Sequence, residues 1–244
     1  MKKEYGYILI VYLIMQLSSF IGVPLVYKTG LVLGVQPEQM RVLVPGIWIL
    51  ISFMSALLII LLILRKSPQN RLREMEPLSV GFSILWAIGG VFLAFSSQVI
   101  AINIETMIGI KPGSDNTENI INFIEAVPAT MIAVGLFGPI LEEIVFRKIV
   151  FGSLYEKFSF GVSALISSFI FSIVHMDFEH ILLYTAMGFT FAYLYVKTKR
   201  LIVPIFAHVV MNSMVVLFQY FLKDDIERMM KEAEQLQSII AWLS

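Results

Sequence analysis

The chain has 244 residues, of which 58% are hydrophobic and 15% charged, with 18 basic and 18 acidic side chains and no cysteine. A soluble domain is roughly half apolar and a quarter charged, so the surplus apolar surface must face lipid. The composition excludes disulfides, thiolate metal sites and a cysteine nucleophile, and no basic patch interleaved with aromatics points to nucleic acid.

About 20 apolar residues cross the hydrocarbon of a bilayer. Seven apolar runs stand out, at about 7–27, 42–64, 80–102, 128–151, 162–175, 181–196 and 202–222. Backbone in lipid must satisfy itself, so these runs are helices or parts of helices. The expected fold is an all-α polytopic bundle of about seven spans (six to eight) with a C-terminal amphipathic helix. The start, Met1-Lys2-Lys3-Glu4, leads into the first run without a small-residue cleavage site, so it reads as a retained helix. The connection from Ile104 to Ala126 reads as a polar loop with a turn at Lys111-Pro112-Gly113-Ser114, and Pro128 suits the first turn of the helix that follows. From Asp224 to Leu243, apolar residues recur at helical spacing against a charged face, as in a helix lying on a membrane surface.

Basic residues mark alternate connections: Arg65, Lys66, Arg71 and Arg73, then Lys157, then Lys197, Lys199 and Arg200. Asp115, Glu118, Asp177 and Glu179 mark the others. Lys and Arg favour the cytoplasm, so the N-terminus is expected inside and the protein in the cell membrane. Three parts are expected: membrane helices and loops over 1–127, a core over 128–222 carrying the chemistry, and the tail over 223–244.

Ionisable groups inside hydrocarbon are costly and mark functional sites by default. Glu142, Glu143 and Arg147 lie in the fourth run, His175 ends the fifth, and His208 and Asn212 lie in the seventh. Glu143 and Arg147 are spaced i, i+4, acid first, as a helical ion pair. Adjacent helical residues point in different directions, which leaves Glu142 free to act as a general base on water. The alternative is a structural polar knot of all three. His208 and Asn212 share a helical face and can hold a water or a carbonyl oxygen, or else make a helix–helix hydrogen bond. Pro139 and Pro204 are expected to loosen their helices around a wet cavity, with a first-turn position as the alternative for Pro204. Asp177, Glu179, His180 and Tyr184 read as an outer loop and a helix start, and Gly188 as a close-packing position.

Glu142-Glu143-Ile144-Val145-Phe146-Arg147, Phe171 to His175 and His208 to Asn212 resemble, in order, the Glu-Glu-x-x-x-Arg, Phe-x-x-x-His and His-x-x-x-Asn signatures of the CAAX protease and bacteriocin-processing (Abi) family. The resemblance covers about residues 128–218. It implies an intramembrane endopeptidase acting on a membrane-associated or lipidated protein or peptide. Glu142 would be the base, His175 would orient the water, and His208 and Asn212 would hold the oxyanion. Glu143, Arg147 and Phe171 would support them. A mechanism without metal is favoured; the zinc alternative would use Glu142, His175 and His208 as ligands. From another class, a proton-coupled transporter or a catalytically idle binding protein is the competing expectation. The distance of His175 from mid-depth is a difficulty that the fold has to resolve.

Overall fold

A computed structural model describes residues 3–66 and 76–243, apart from some side chains, mostly beyond residue 222. Among them there is no strand. The helices are α1 (Lys3–Leu17), α2 (Ser19–Val32), α3 (Pro37–Lys66), α4 (Val80–Met107), α5 (Asp115–Ala126), an irregular α6 over 130–155, α7 (Phe160–Val174), α8 (Ile181–Thr198) and α9 (Ile202–Leu243).

The pattern of burial follows from a lipid solvent. In α1 the buried residues are Tyr5, Ile8, Tyr12 and Met15, at helical spacing on one face. The opposite faces of the outer helices expose large apolar side chains such as Phe20, Val32, Phe82 and Phe92. In water such a surface would aggregate; in a bilayer it is the solvated face. Ile202–Leu222, α3 and α4 are each long and apolar enough to cross a membrane, and α1 with α2 makes a fourth such unit, bent by 50°. The protein is an all-α membrane protein.

Four expectations are corrected. The first apolar run is two helices. Ser18 breaks it, donating to the Met15 carbonyl at 2.7 Å and accepting from Trp48 Nε1 at 3.1 Å. The connection after the third run is largely helical. Helix α4 continues to Met107, and α5 starts at Ser114, whose Oγ accepts from the Thr117 N–H. Pro128 falls in the turn before α6 rather than inside it. Pro204 sits in the first turn of α9, where its missing N–H costs nothing, so only Pro139 bears on a loosened helix. In the tail, the helix changes direction at Leu222 (φ −114°, ψ 15°); the apolar side chains of its amphipathic face lie outside the described residues, as do Arg71 and Arg73.

The core helices approach closely at small residues. A Cβ on Gly188 of α8 would stand 2.8 Å from the Ser168 Cβ of α7. Packing without a water-driven hydrophobic force depends on such small contacts.

Candidate active site

Helix α6 changes its winding around the acidic pair. Ala133–Phe137 and Glu143–Phe151 are π-helical, and the short α-helical piece between them, Gly138–Glu142, carries Pro139 at its start and Glu142 at its end. A π turn bonds one residue further along and is frequent at functional sites. Neighbouring helices take up backbone carbonyls here: Ser167 Oγ donates to the Phe146 carbonyl at 2.8 Å and Ser213 Oγ to that of Gly135 at 3.3 Å.

The two carboxylates part as expected. Glu143 and Arg147 are both fully buried, with Arg147 Nε 3.1 Å from Glu143 Oε2. The N–H does not point along that oxygen, so the contact is an ion pair rather than a linear hydrogen bond. The guanidinium carbon also lies 5.0 Å from the Phe171 ring centre and 5.8 Å from that of Phe191, a cation–π contact worth more when desolvated. Glu143 has a second duty that the spacing did not reveal. Its Oε1 lies 3.0 Å from His208 Nδ1. A carboxylate only accepts, so Nδ1 carries a hydrogen. The His208 ring is stacked on Phe191, centroids 4.5 Å apart, and its Nε2 stands 3.7 Å from Glu142 Oε2.

His175 caps α7. Its Nδ1 is 2.8 Å from the Phe171 carbonyl, which fixes the hydrogen on that nitrogen and leaves an Nε2 lone pair in the neutral ring. Phe171 therefore links several groups of the site: its carbonyl orients His175, its ring meets that imidazole at 4.5 Å, and the ring also meets Arg147, Phe146 and His208. The depth difficulty is resolved by the short α7: its C-terminal end and the middle of α6 and α9 border the same cavity.

That cavity, of about 230 Å³, is lined by Glu142, His175, His208 and Asn212 together. No hydrogen bond to the Asn212 amide occurs among the described residues, so it is free to receive a ligand oxygen. The residues that the signatures did not contain are Gln16, Gln98, Asn116 and Thr117, on α1, α4 and α5, which form much of the polar wall. Gln16 and Gln98 were detectable as amides inside apolar runs, a costly placement. No group of three or more His, Asp or Glu side chains among the described residues is arranged to hold a metal ion.

A second polar cluster joins α4 to the start of α8. Glu105, buried near the end of α4, accepts from His180 Nδ1 at 2.8 Å and from the Leu183 N–H at 3.0 Å. His180 Nε2 bonds the Gly113 carbonyl. With acceptors on both nitrogens, the ring carries both hydrogens. Desolvation opposes that charge, but the Glu105 and Gly113 bonds and Asp177 outweigh it and raise the His180 pKa above its ordinary value. Sequence gave no sign of this pair, whose members lie 75 residues apart.

Residues 124–214 match the family described as Type II CAAX prenyl endopeptidase Rce1-like. The chain is 49% identical over its full 244 residues to the Bacillus subtilis protein named "Putative membrane peptidase YdiL", 99% of which is covered. It is 33% identical over 233 residues to the "Membrane-embedded CAAX protease MroQ" of Staphylococcus aureus, covering 91% of this chain and 93% of that one. The chain belongs to the CAAX family of membrane proteases. The "UPF0177 protein YxdF" of Lactococcus lactis is 31% identical over 132 residues, 53% of this chain and 73% of that protein. No solved structure matches. The family match falls on α5 to α9, the helices that bring Glu142, His175, His208 and Asn212 together.

Proposed function

We propose that this CAAX-family protein is an endopeptidase that uses Glu142 to activate water, without a metal, against a peptide bond of a membrane-associated or lipidated substrate. The observation that carries this reading is the shared cavity: the Glu142 carboxylate, two imidazoles and the Asn212 amide border a single space.

The chemistry balances on these groups. A water donates one hydrogen to Glu142 and the other, as a hydrogen bond, to the His175 Nε2 lone pair. As its oxygen bonds the carbonyl carbon, Glu142 takes the proton. The carbonyl oxygen becomes an oxyanion, held by the Asn212 Nδ2–H. His208 Nε2 adds a second donor when its ring carries both hydrogens, since Nδ1 already serves Glu143. Preorganised donors of this kind each contribute about 3–4 kcal/mol. Glu142 then hands its proton to the departing amine as the C–N bond breaks. The ion pair with Arg147 keeps Glu143 in place beneath His208.

Asn116 and Thr117 of α5 line the cavity, and α5 follows the end of α4 away from Arg65, Lys66 and Lys197 to Arg200. With those basic ends in the cytoplasm, this wall of the cavity lies toward the outer side of the cell membrane and the N-terminus is inside.

The test is mass spectrometry of a panel of prenylated C-terminal peptides and unmodified leader-type peptides, incubated with the purified protein in lipid nanodiscs, with and without a chelator. The expected result is a pair of fragments from at least one peptide whose masses add up to substrate plus one water, unaffected by chelation and missing with Glu142→Gln. Activity that disappears with chelator and returns with zinc overturns the metal-free step. Equal product from both proteins overturns the role of Glu142.

A further inference from the structure

One wall of the catalytic cavity is an aromatic ring of α8. Tyr184, in the first turn of α8, is stacked on the His175 imidazole with centroids 4.1 Å apart and planes 26° apart. His175 needs outside support, because it caps α7 and the chain reverses straight after it with Met176 at φ 55°. Its bond to the Phe171 carbonyl fixes one edge of the ring but leaves rotation about that contact. A flat ring against its face removes this freedom, and aromatic stacking adds about 0.5–1.5 kcal/mol beyond area burial.

Tyr184 is itself held from the loop. Ser114 Oγ lies 2.6 Å from Asp177 Oδ2 and 3.4 Å from the Tyr184 hydroxyl, which also accepts from Asn116 Nδ2 at 3.4 Å. The donor count has one solution. Asp177 only accepts, so the Ser114 hydrogen goes to it, and Ser114 Oγ accepts from Tyr184 and from the Thr117 N–H. In the contact between the two hydroxyls, the phenol is therefore the donor. What Tyr184 offers the cavity is the face of its ring.

We propose that Tyr184 is a positioning residue for His175: its ring holds the imidazole with Nε2 toward the water, and Ser114, Asn116 and Asp177 hold the ring. The proposal rests on the role given to His175 above. A displacement of about 1 Å at a catalytic group can cost about 100-fold in rate, so a side chain without a flat face should be felt in turnover more than in binding.

The test compares wild type, Tyr184→Phe, Tyr184→Met and Glu142→Gln on one cleaved peptide, with a thermal midpoint in detergent for each. Tyr184→Met is expected to lower kcat by about tenfold or more with KM within about twofold, and Tyr184→Phe to recover most of that loss. A Tyr184→Met enzyme with wild-type kcat overturns the proposal. So does a folded Tyr184→Phe as slow as Tyr184→Met, which would put the effect in the hydroxyl and not in the flat face. If Tyr184→Met does not fold, Asn116→Ala carries the test: it loosens the ring without removing it and is expected to lower kcat by about threefold, and an unchanged kcat overturns the proposal. Wild type no faster than Glu142→Gln removes the proteolytic reading, and this one with it.

Discussion

Glu143 holds His208 by one carboxylate oxygen, 3.0 Å from Nδ1, and Arg147 by the other, at 3.1 Å. The second acid of the pair is thus a bridge between α6 and α9, and its neighbour Glu142 borders the cavity. Removing one partner of a buried ion pair leaves an uncompensated charge, at a cost of about 3–5 kcal/mol. Glu143→Ala is expected to lower the thermal midpoint in detergent sharply. Arg147→Lys is expected to fail as a replacement, because an ammonium cannot also lie flat against Phe171 and Phe191. A midpoint within a degree or two of wild type for both variants contradicts the bridge.

The part of this site legible in the sequence was the part whose geometry is local. The i, i+4 spacing of Glu143 and Arg147 predicts their pairing, and that of His208 and Asn212 their common border on the cavity. What was illegible depends on distance along the chain. Glu105 read as the start of a loop because its partner, His180, comes 75 residues later. The break at Ser18 depends on Trp48, 30 residues on. The π-helical winding around Glu142 had only Pro139 as a forewarning, since Pro204 lies harmlessly in a first turn.

Asn212 is the one amide of the signatures, and it has no partner among the described residues. Loss of a single oxyanion donor costs about 100- to 1000-fold in kcat. Asn212→Ala is expected to show that loss with KM little changed, measured on a peptide that the wild type cleaves. A rise in KM with kcat preserved would make Asn212 a ground-state binding group instead.

His180 ties α8 to Glu105 and to the Gly113 carbonyl as a doubly protonated ring. Because its pKa is raised in the folded protein, the stabilisation is fully present below the unfolded value of about 6.5 and is lost as pH rises through the folded value. The thermal midpoint of wild type is expected to fall as pH rises above about 6.5, and that of His180→Gln to fall less over the same window. A wild-type midpoint that rises over that window, with the variant flat, contradicts the charged ring.

The chain has no cysteine, so a single introduced thiol reports the side on which it lies. Asn116→Cys, on the cavity wall, is expected to react with a membrane-impermeant maleimide added to intact cells. Lys199→Cys, at the basic end, is expected to react only after the cells are opened. The reverse pattern places Asn116 on the cytoplasmic side and overturns the orientation.

The claim on which the account turns is that the Glu142 carboxylate takes the proton of the attacking water. Single-turnover cleavage in nanodiscs under chelation, wild type against Glu142→Gln, measures it most directly. General-base catalysis contributes about 100- to 10,000-fold, so the glutamine enzyme, isosteric but unable to take a proton, is expected to be slower by at least the lower figure with the peptide still bound. Cleavage at the wild-type rate by Glu142→Gln would contradict it.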